Sequence, residues 1–496
     1  MSVTATASLP GSNAGRAVLA TAAANPDLLA IVTRESMIDF SQFAGILRRL
    51  AQQFQARGIG PGSILSIDAD DPVTVFGTLM ASALLGACWV AARAARPLKA
   101  DLHPTHHITT DPAAPDPTAP ITIVIEPGWF TGPAPSAADD AAFPGPADLE
   151  APWIYAPTSG TTGTAKLVCL SQRIMLDRAS AVLDDFRPRE TVMACLFICS
   201  AFPHLVRATA CLVNGCTMVN ALDPAMWRAA GVNHVYGSVT QVADLLGHRV
   251  LPQKMPLIHV SGSKLTDALA RHLLQSFDQV IDLYASTETN RSFKNIKSLS
   301  PDGRIVTTGQ ATDAEVQIVN DAGQPVGQNE VGRVRVRNGY LAPGYLNNPA
   351  AQAASFRDGW FYPGDLALWG PQGGLQVIGR AGDVINLGGV KVNALEIDEV
   401  MQSVPGVADA MCFENPRESG PSELLAFVVF APGADGTTIA EAMRAAFAAR
   451  LGPARRPARF VEVNKVPRAH DGGAKRFLCQ KLYRDLRAAQ GAQAGH

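Results

Sequence analysis

Apolar residues along the chain follow two alternating spacings. Between Arg16 and Trp89, stretches with the period of an amphipathic helix are separated by short apolar runs that predict strands. One example is a predicted helix from Phe40 to Arg57, followed by a predicted strand from Ser63 to Ile67. Because helices that alternate with strands are typical of a parallel sheet covered by helices, this part of the chain is predicted to be α/β.

The pattern changes further along the chain. Residues from Asp111 to Pro152 are rich in Pro, Ala and Asp and contain one predicted strand, Ile121 to Ile125, so we expect a surface excursion there. A second α/β stretch is predicted from Trp153 to about Ser286. Alternating apolar residues then predict β-rich structure from Gly303 to Arg337.

The last part of the chain predicts a small separate domain. Its predicted elements are a helix from Leu395 to Val404, a strand from Leu424 to Phe430 and a helix from Ile439 to Leu451, enough for an α+β domain. The chain has 496 residues, which exceeds the roughly 250 to 300 residues at which a single hydrophobic core stops growing. Two or more domains are therefore expected.

The amino-acid composition limits the kinds of ligand that this protein is expected to bind. The chain is 47% hydrophobic and 17% charged, with a formal net charge of −2. No basic excess or cluster is present to attract nucleic acid or an anionic membrane, so a small neutral or acidic ligand is expected. The longest apolar run, Phe76 to Ala92, is too short to span a bilayer and predicts a buried helix entering a strand. The start of the chain lacks the pattern of a secretory signal, and a cytoplasmic location is expected.

Cysteine and histidine positions offer little sign of a metal site. The eight cysteines contain no C-x-x-C pair, so we expect reduced, mostly buried thiols. His103, His106 and His107 fall in a predicted loop that contains Pro104. Their spacing allows a metal site, but such histidines are more often exposed side chains without a metal, and exposure is the favoured interpretation.

A segment rich in Gly, Ser and Thr follows the predicted strand Trp153 to Ala156. It consists of Thr158, Ser159, Gly160, Thr161, Thr162, Gly163, Thr164, Ala165 and Lys166. Small hydroxyl residues and glycines allow backbone N–H and side-chain O–H groups to converge on phosphate oxygens, and the lysine adds positive charge. The segment therefore predicts a polyphosphate site.

The main rival interpretation is a Walker P-loop, in which Gly-x-x-x-x-Gly-Lys is followed by Ser or Thr and then by a helix. Counted from Gly160, Ala165 and Leu167 occupy positions that require Gly and Ser or Thr. The chain also continues as a predicted strand, Leu167 to Leu170, and a helix is predicted only from about Ser171. A Walker-type enzyme is thus disfavoured, and a loop without function is disfavoured by the motifs that follow.

The segment resembles the phosphate loop of the adenylate-forming superfamily, which includes acyl-CoA synthetases, adenylation domains of nonribosomal peptide synthetases and firefly luciferase. That loop reads Thr-Ser-Gly-Thr-Thr-Gly-x-Pro-Lys-Gly, so Ala165 and Leu167 depart from it. The resemblance implies an α/β and α+β fold. Residues 1–380 would form a large N-terminal domain of α/β subdomains plus a β-barrel, and residues 383–496 a small mobile C-terminal α+β lid, with a hinge at about residues 381–382.

A second motif supports the resemblance. The segment from Asp282 to Glu288 is similar to the superfamily's Asn-x-Tyr-Gly-x-Thr-Glu, although Ala285 replaces Gly. The ring of Tyr284 can stack on adenine, the hydroxyl of Thr287 can reach the α-phosphate, and the carboxylate of Glu288 can hold Mg²⁺. The resemblance places Asp282, and likewise Gly262 and Ser263, among the nucleotide-binding residues.

Two later motifs complete the predicted nucleotide site. Gly359 to Asp365 resembles Gly-Trp-x-x-Thr-Gly-Asp, which implies that Asp365 accepts the ribose hydroxyls; by itself the segment could be a Pro-Gly-Asp turn. The segment from Gly379 onward resembles the superfamily's hinge, in which Arg380 contacts ribose and phosphate. The pivot, usually Asp or Lys, is Gly382 here, and glycine can absorb large changes in φ and ψ.

A glycine pair and a lysine complete the resemblance. Gly388 and Gly389 are typical of members that accept a pantetheine thiol, although a plain β-turn explains them equally well. The superfamily's Pro-Arg-x-x-Ser-Gly-Lys ends on the lysine that serves adenylation. Here Lys475 comes two positions late, and Lys465 and Lys481 are alternatives, as is a basic amphipathic tail helix without a catalytic lysine.

The resemblance implies a ligase that uses ATP and Mg²⁺ to adenylate a carboxylic acid and then transfers the acyl group to a thiol, with CoA as the expected acceptor. A carrier-protein pantetheine or an amine is an alternative acceptor, and a member that binds ligands without turnover is a further alternative. Neither Ser200 nor His204, near the acyl pocket by resemblance, receives a firm role. No Asp lies between Thr191 and Asn220, which disfavours an amino-acid substrate.

Overall fold

The computed structural model describes residues 13–92, 102–113, 119–133, 135–158, 166–381, 384–387, 390–416, 422–452, 455–468 and 476–493. Its α-helices are α1 (Ala14–Ala24), α2 (Phe40–Gln55), α3 (Pro72–Leu85), α4 (Gln172–Ala181), α5 (Phe202–Asn214), α6 (Pro224–Ala229), α7 (Val239–Leu246), α8 (Asp267–Ser276), α9 (Pro349–Ser355), α10 (Ala394–Gln402), α11 (Gly436–Arg450) and α12 (Arg476–Gln493).

The strands are β1 (Leu29–Thr33), β2 (Met37–Asp39), β3 (Ile64–Asp68), β4 (Cys88–Ala91), β5 (His106–Thr109), β6 (Ile121–Val124), β7 (Pro152–Thr158), β8 (Lys166–Ser171), β9 (Val192–Cys195), β10 (Thr217–Asn220), β11 (His234–Ser238), β12 (Met255–Ser261), β13 (Phe277–Ser286), β14 (Asn290–Leu299), β15 (Ile305–Ala311), β16 (Glu315–Val319), β17 (Gly332–Arg337), β18 (Phe356–Arg357), β19 (Trp360–Phe361), β20 (Asp365–Trp369), β21 (Leu375–Arg380), β22 (Val384–Leu387), β23 (Val390–Asn393), β24 (Val407–Asn415), β25 (Glu423–Phe430) and β26 (Arg459–Glu462).

The chain folds into two compact units. The first contains the described residues of Met1–Thr158, Ala165–Val316 and Val336–Phe361, and the second contains those of Gln317–Arg335 and Tyr362–His496. The boundary near residue 380 and the hinge at residues 381–382 stay predictions.

Two sheets form the frame of the first unit. One has the strand order β6-β5-β3-β4-β7-β8 and is parallel except for the hairpin of β7 with β8. The other has the order β15-β14-β13-β12-β11-β9-β10-β1-β2, with parallel strands from β13 to β1 and antiparallel strands at both ends. The carboxyl ends of β11, β12 and β13 therefore meet at one edge, which is where open α/β sheets bind ligands.

Helices of the first unit bury apolar side chains against these sheets. Phe43 of α2, Phe76 of α3 and Leu205 of α5 belong to one core, together with Trp89 and Trp153 of the parallel sheet. Helix α3 is buried on nearly all sides, as the apolar run from Phe76 predicted. It ends at Gly86, where φ is +69° and an added Cβ would lie 2.3 Å from a neighbouring carbonyl oxygen, so only glycine fits there.

The second unit contains the predicted small α+β domain. Its sheet has the order β24-β25-β26, and successive residues of β24 face opposite sides, as strand geometry requires. Ala410 and Cys412 pack with the apolar residues of α10 and α11, whereas Met411 and Phe413 pack with Cys479 of α12. The same unit contains the pairing of β17 with β20 and of β20 with β21.

The structure corrects the expectation for two of the histidines. His106 and His107 lie in strand β5 and are buried, not exposed in a loop, because β5 pairs with both β3 and β6. In the described part of the chain, no three His, Cys, Asp or Glu side chains are grouped to hold a metal ion. All eight cysteines are free, six of them buried. Among the described residues, none of the helices is long and apolar enough to cross a membrane.

Candidate active site

The two ends of the predicted phosphate loop are held by a hairpin. Thr158, the last residue of β7, is the register partner of Lys166, the first residue of β8, and its hydroxyl donates to the carbonyl oxygen of Lys166 at 3.4 Å. The predicted contacts Ser159, Gly160, Thr161, Thr162 and Gly163 lie outside the described residues. Ser171 then caps helix α4 by accepting a hydrogen bond from the backbone of Ile174, so the loop leads into a strand before the helix, as predicted.

Lys166 and Glu288 are joined through one tyrosine. The ammonium nitrogen of Lys166 lies 4.8 Å from the centroid of the Tyr345 ring, close enough for a cation–π interaction. The Tyr345 hydroxyl donates a hydrogen bond to Oε1 of Glu288 at 2.7 Å. Residues from the second and last segments of the unit thus meet, and the predicted phosphate lysine and the predicted Mg²⁺ ligand contact the same side chain.

Glu288 lies in a tightly bonded turn between β13 and β14. The side chain is 7% exposed, and its backbone carbonyl accepts a hydrogen bond from the N–H of Ala342 at 2.8 Å. Ser286 accepts from the N–H of Thr289 at 3.2 Å, and Asn338 donates to the carbonyl of Thr289 at 2.8 Å. The turn is therefore fixed on both sides of the carboxylate.

Arg178 of helix α4 also holds this turn, and sequence reasoning missed it. Its guanidinium donates to the carbonyls of Thr287 at 3.1 Å, Glu288 at 2.8 Å and Tyr340 at 3.2 Å. Burial lowers the pKa of Arg178 to about 9, although the charges of Tyr340 and Glu288 act to raise it, so the side chain stays protonated at neutral pH. A sequence signal existed, because Arg178 falls one helical turn after the buried Ile174.

Asp282 and Tyr284 occupy the same face of strand β13, two residues apart. Burial raises the pKa of Asp282 to about 6, and the ammonium of Lys297, 3.9 Å away, acts to lower it. Gly262 follows the last residue of β12 with φ of +91°, a conformation that favours glycine, and Ser263 is exposed beside it. These predicted nucleotide contacts therefore lie along β13 and at the adjoining end of β12.

In the second unit, Asp365 and Arg380 form an ion pair. They are register partners in the antiparallel strands β20 and β21, and Nε of Arg380 lies 3.3 Å from Oδ1 of Asp365. The Arg380 side chain is 44% exposed and that of Asp365 is 13% exposed. The two residues predicted to contact ribose are thus brought together by the sheet.

Several other predicted residues fall elsewhere. Gly382, Gly388, Gly389 and Lys475 lie outside the described residues, so their roles stay predictions. The alternative lysines Lys465 and Lys481 are exposed.

His204, near the predicted acyl pocket, is fully buried and shares a hydrogen bond of 2.7 Å with the carbonyl of Phe197. Burial, together with the nearby charge of Arg207, lowers its pKa to about 4, although the hydrogen bond to Phe197 acts to raise it. His204 is therefore neutral at physiological pH and serves packing.

The residues around Glu288 fit a divalent cation with oxygen ligands. Tyr345 occupies one carboxylate oxygen, whereas Oε2 of Glu288 accepts no hydrogen bond from the described residues. A single carboxylate suits Mg²⁺, which keeps several waters and binds substrate phosphates rather than a cage of protein ligands. The arrangement supplies charge and fixed geometry, which is what phosphoryl-type displacement at a nucleotide requires.

Models of known protein families match most of the chain. The chain matches the family model described as AMP-binding enzyme over residues 18–346, and the model described as AMP-binding enzyme C-terminal domain over residues 396–472. It is 29% identical over 370 residues to the sulfoacetate–CoA ligase of Cupriavidus necator, with 72% of each chain covered. It is also 29% identical over 229 residues to an oxalate–CoA ligase of Arabidopsis thaliana, of which it spans 44%.

Among solved structures, the chain is similar to O-succinylbenzoate coenzyme A synthetase (MenE) from Bacillus subtilis in complex with ATP and magnesium ion. The TM-score is 0.78 at 21% identity, and the match covers 93% of this chain and 98% of that chain. This likeness shows a shared mixed α/β fold with a large N-terminal domain and a small C-terminal domain.

Proposed function

This chain belongs to the family of AMP-binding enzymes, and we propose that it joins a carboxylic acid to the thiol of coenzyme A through an acyl adenylate. The observation that carries the proposal is the contact of Lys166 and Glu288 with Tyr345. It links the end of the predicted phosphate loop to the predicted Mg²⁺ ligand through a single side chain.

In the first half-reaction, a carboxylate oxygen of the acid attacks the α-phosphorus of ATP. The bond from that phosphorus to the bridging oxygen breaks, and pyrophosphate leaves with the electron pair. Both reactants are anions, so their repulsion must be offset by fixed positive charge. Lys166 and the hydroxyls beside it would bind the β- and γ-phosphates, and Glu288 would hold Mg²⁺, which supplies further positive charge. Thr287 would contact the α-phosphate.

The remaining roles rest on the resemblance. Asp365 and Arg380 would bind ribose and phosphate, Tyr284 would stack on adenine, and Lys475 would neutralise charge at the reacting carboxylate. Arg178 would not touch substrate. It would position the turn that carries Thr287 and Glu288, because it donates to both of their carbonyls.

In the second half-reaction, a thiol attacks the carbonyl carbon of the acyl adenylate. The carbon–oxygen bond to AMP breaks, a thioester forms, and the thiol proton passes to solvent. The choice of CoA is supported by the relatives, since the sulfoacetate–CoA and oxalate–CoA ligases are both named for this acceptor. The pair Gly388 and Gly389 would admit the pantetheine arm, and Gly382 would allow the lid to turn between the two steps.

Two assays test the proposal in sequence. The enzyme is incubated with ATP, Mg²⁺ and a panel of carboxylic acids, and hydroxylamine traps any acyl adenylate as a hydroxamate. We expect ATP-dependent hydroxamate from at least one acid. ATP binding without hydroxamate from any acid would contradict adenylation and favour a ligand-binding protein.

The acceptor is tested with the acid that gives the most hydroxamate. Addition of CoA should give an acyl-CoA thioester at a rate that depends on CoA concentration. Transfer to a phosphopantetheinylated carrier protein or to an amine, with no thioester on CoA, would contradict the choice of CoA and leave adenylation intact.

A further inference from the structure

A buried cluster of rings and cations lies in the first unit, on the face of the nine-stranded sheet that helix α5 covers. Tyr236 of β11 and His259 of β12 are register partners, and their rings stack with centroids 4.3 Å apart. The guanidinium carbon of Arg207 in α5 lies 4.3 Å from the centroid of the Tyr236 ring. Arg291 of β14 belongs to the same neighbourhood, since its charge acts on both Tyr236 and His259.

Several polar atoms of this cluster are buried without a partner. Both ring nitrogens of His259 and Nε of Arg207 and of Arg291 make no hydrogen bond with any described residue, and His259 is 1% exposed. A buried polar atom without a hydrogen-bond partner destabilises the folded protein. A group of neighbouring buried polar atoms without hydrogen-bond partners is typical of a site that binds a ligand with acceptor groups.

The charges of the cluster are unevenly compensated. Arg291 and Lys294 both pair with Asp185, at 2.8 and 2.6 Å, and both also pair with Asp184. Arg207 differs from them. It donates to the carbonyl of Pro203 at 2.8 Å, and among the described residues no carboxylate forms an ion pair with it.

His259 is neutral in this setting. Burial lowers its pKa well below the usual range, and the charges of His234, Arg207, Lys294 and Arg291 lower it further. A neutral imidazole has one N–H that can donate to an anion beside the fixed positive charge of Arg207.

The cluster lies within reach of the proposed reaction. His259 is three positions before Gly262, and strand residues rise about 3.3 Å each, so it lies roughly 10 Å along β12 from that predicted contact. Arg291 is three positions after Glu288. A short acid with its reacting carboxylate beside the predicted α-phosphate contact Thr287 could therefore place its other end at the cluster.

We propose that Arg207 and His259 bind a second anionic group of the acid, a carboxylate or a sulfonate, so that the substrates are short diacids rather than unsubstituted monoacids. This inference rests on the proposed function, because it assigns the end of the substrate that is not activated. It also agrees with the expectation against amino-acid substrates, since a site lined by cations repels an ammonium group.

The test compares acids of equal chain length. Succinate, glutarate and adipate are each paired with butyrate, pentanoate or hexanoate, and 4-sulfobutyrate is also paired with butyrate. For the best pair, we expect kcat/KM for pyrophosphate release to favour the diacid by about 10- to 100-fold, the range for a charge-assisted pair of hydrogen bonds. Comparison of the dicarboxylic acids with 4-sulfobutyrate shows whether the site binds a carboxylate or a sulfonate.

Substitutions then locate the preference. Arg207→Met and His259→Leu should each lower the ratio of diacid to monoacid kcat/KM by tenfold or more, mainly through KM. Arg228→Met, an exposed arginine on α6, is the matched control and should keep the ratio of the parent. A parent enzyme that prefers monoacids, or hydroxy acids without a second anion, would overturn the inference. If Arg207→Met lowers kcat/KM equally for the diacid and the monoacid, the inference is also overturned, and Arg207 has a structural role.

A binding measurement keeps the inference separate from adenylation. Isothermal titration of the parent with succinate and with butyrate, both in the presence of AMP, needs no turnover. If succinate binds more tightly than butyrate and Arg207→Met abolishes this difference, the anion site is supported. This holds even if no acid releases pyrophosphate, in which case only the proposed function is contradicted. Equal binding of the two acids overturns the site, whether or not adenylation occurs.

Discussion

The turn at Glu288 and the pair of Asp365 with Arg380 are both predicted to contact ATP, yet the protein holds them in opposite ways. Glu288 is buried, and its backbone and side chain are bonded by Arg178, Ala342 and Tyr345. The Asp365–Arg380 pair belongs to a sheet edge of the second unit, and its arginine is 44% exposed. The geometry of the Glu288 turn is set by several hydrogen bonds within a buried turn, whereas that of the second site includes strand register and an ion pair with a half-exposed arginine.

Because of this difference, substitutions at the two sites should have different effects on folding stability and on function. Removing a partner from a buried polar network leaves other groups unsatisfied and costs on the order of 1–3 kcal/mol for each. An exposed ion pair contributes about 0–1 kcal/mol to folding. Substitutions at the Glu288 turn should therefore affect folding or catalysis strongly, whereas those at the ribose pair should affect nucleotide binding with little effect on folding.

Glu288→Gln is expected to have the largest effect. The amide keeps the shape and can still accept from the Tyr345 hydroxyl, but it loses the negative charge that Mg²⁺ requires. We expect the rate of hydroxamate formation to fall by about 10²- to 10³-fold, the range for loss of one preorganised electrostatic contact. The thermal midpoint should change little. Near-parental activity would mean that Mg²⁺ binds elsewhere and would remove the main support for the proposed function.

Arg178→Met tests whether the turn depends on its buried arginine. Three carbonyls lose their donor in this variant, so we expect a loss of about 3 kcal/mol in the stability of the first unit, with slower adenylation as a consequence. Differential scanning calorimetry and hydroxamate trapping measure the two effects. Arg173→Met, on the exposed side of the same helix, is the matched control and should cost less than about 1 kcal/mol.

An Arg178→Met protein with parental stability but slow adenylation would sharpen the comparison in a different way. It would show that the arginine organises the turn for catalysis only, and that Ala342 and Tyr345 suffice to fold it.

Features that depend on local contacts could be predicted from the sequence, whereas those that depend on distant contacts could not. The strands β7 and β8 and the start of α4 near Ser171 were predicted, because apolar period and glycine content are local signals. Arg178 was missed, since its partners are backbone carbonyls more than a hundred positions later in the chain.

The histidines of β5 illustrate the opposite error. Pro104 and polar neighbours predicted an exposed loop, but pairing with β3 and β6 buries His106 and His107, and that pairing depends on residues about 40 positions before and 15 after them. A pattern read from one segment does not include the strands that flank it in the fold.

Asp365→Asn tests the ion pair of the second unit, in which Arg380 is the more exposed partner. The amide can accept from only one oxygen, and it no longer attracts Arg380, so ribose should be held less well. We expect ATP affinity to fall by about tenfold, in the range for a hydrogen bond to a charged group. Isothermal titration gives the affinity, and the thermal midpoint without nucleotide should stay within about 2 °C of the parent. A large drop in that midpoint would show that the pair is structural and would break the contrast with Glu288.

Asp282→Asn tests the exception within the first unit, a partly buried carboxylate whose paired cation, Lys297, lies 3.9 Å away. Because the pKa of Asp282 is raised to about 6, the folded state binds more protons than the unfolded state from about pH 4, the ordinary Asp value, up to about pH 6. Stability linked to this group is therefore present at low pH and is lost as pH rises through that window. The amide does not ionise, so the stability of Asp282→Asn relative to the parent should rise by about 2 kcal/mol between pH 4 and pH 7. Thermal midpoints of the two proteins across this range measure the gain. A constant difference would mean that Lys297, 3.9 Å away, compensates the carboxylate fully.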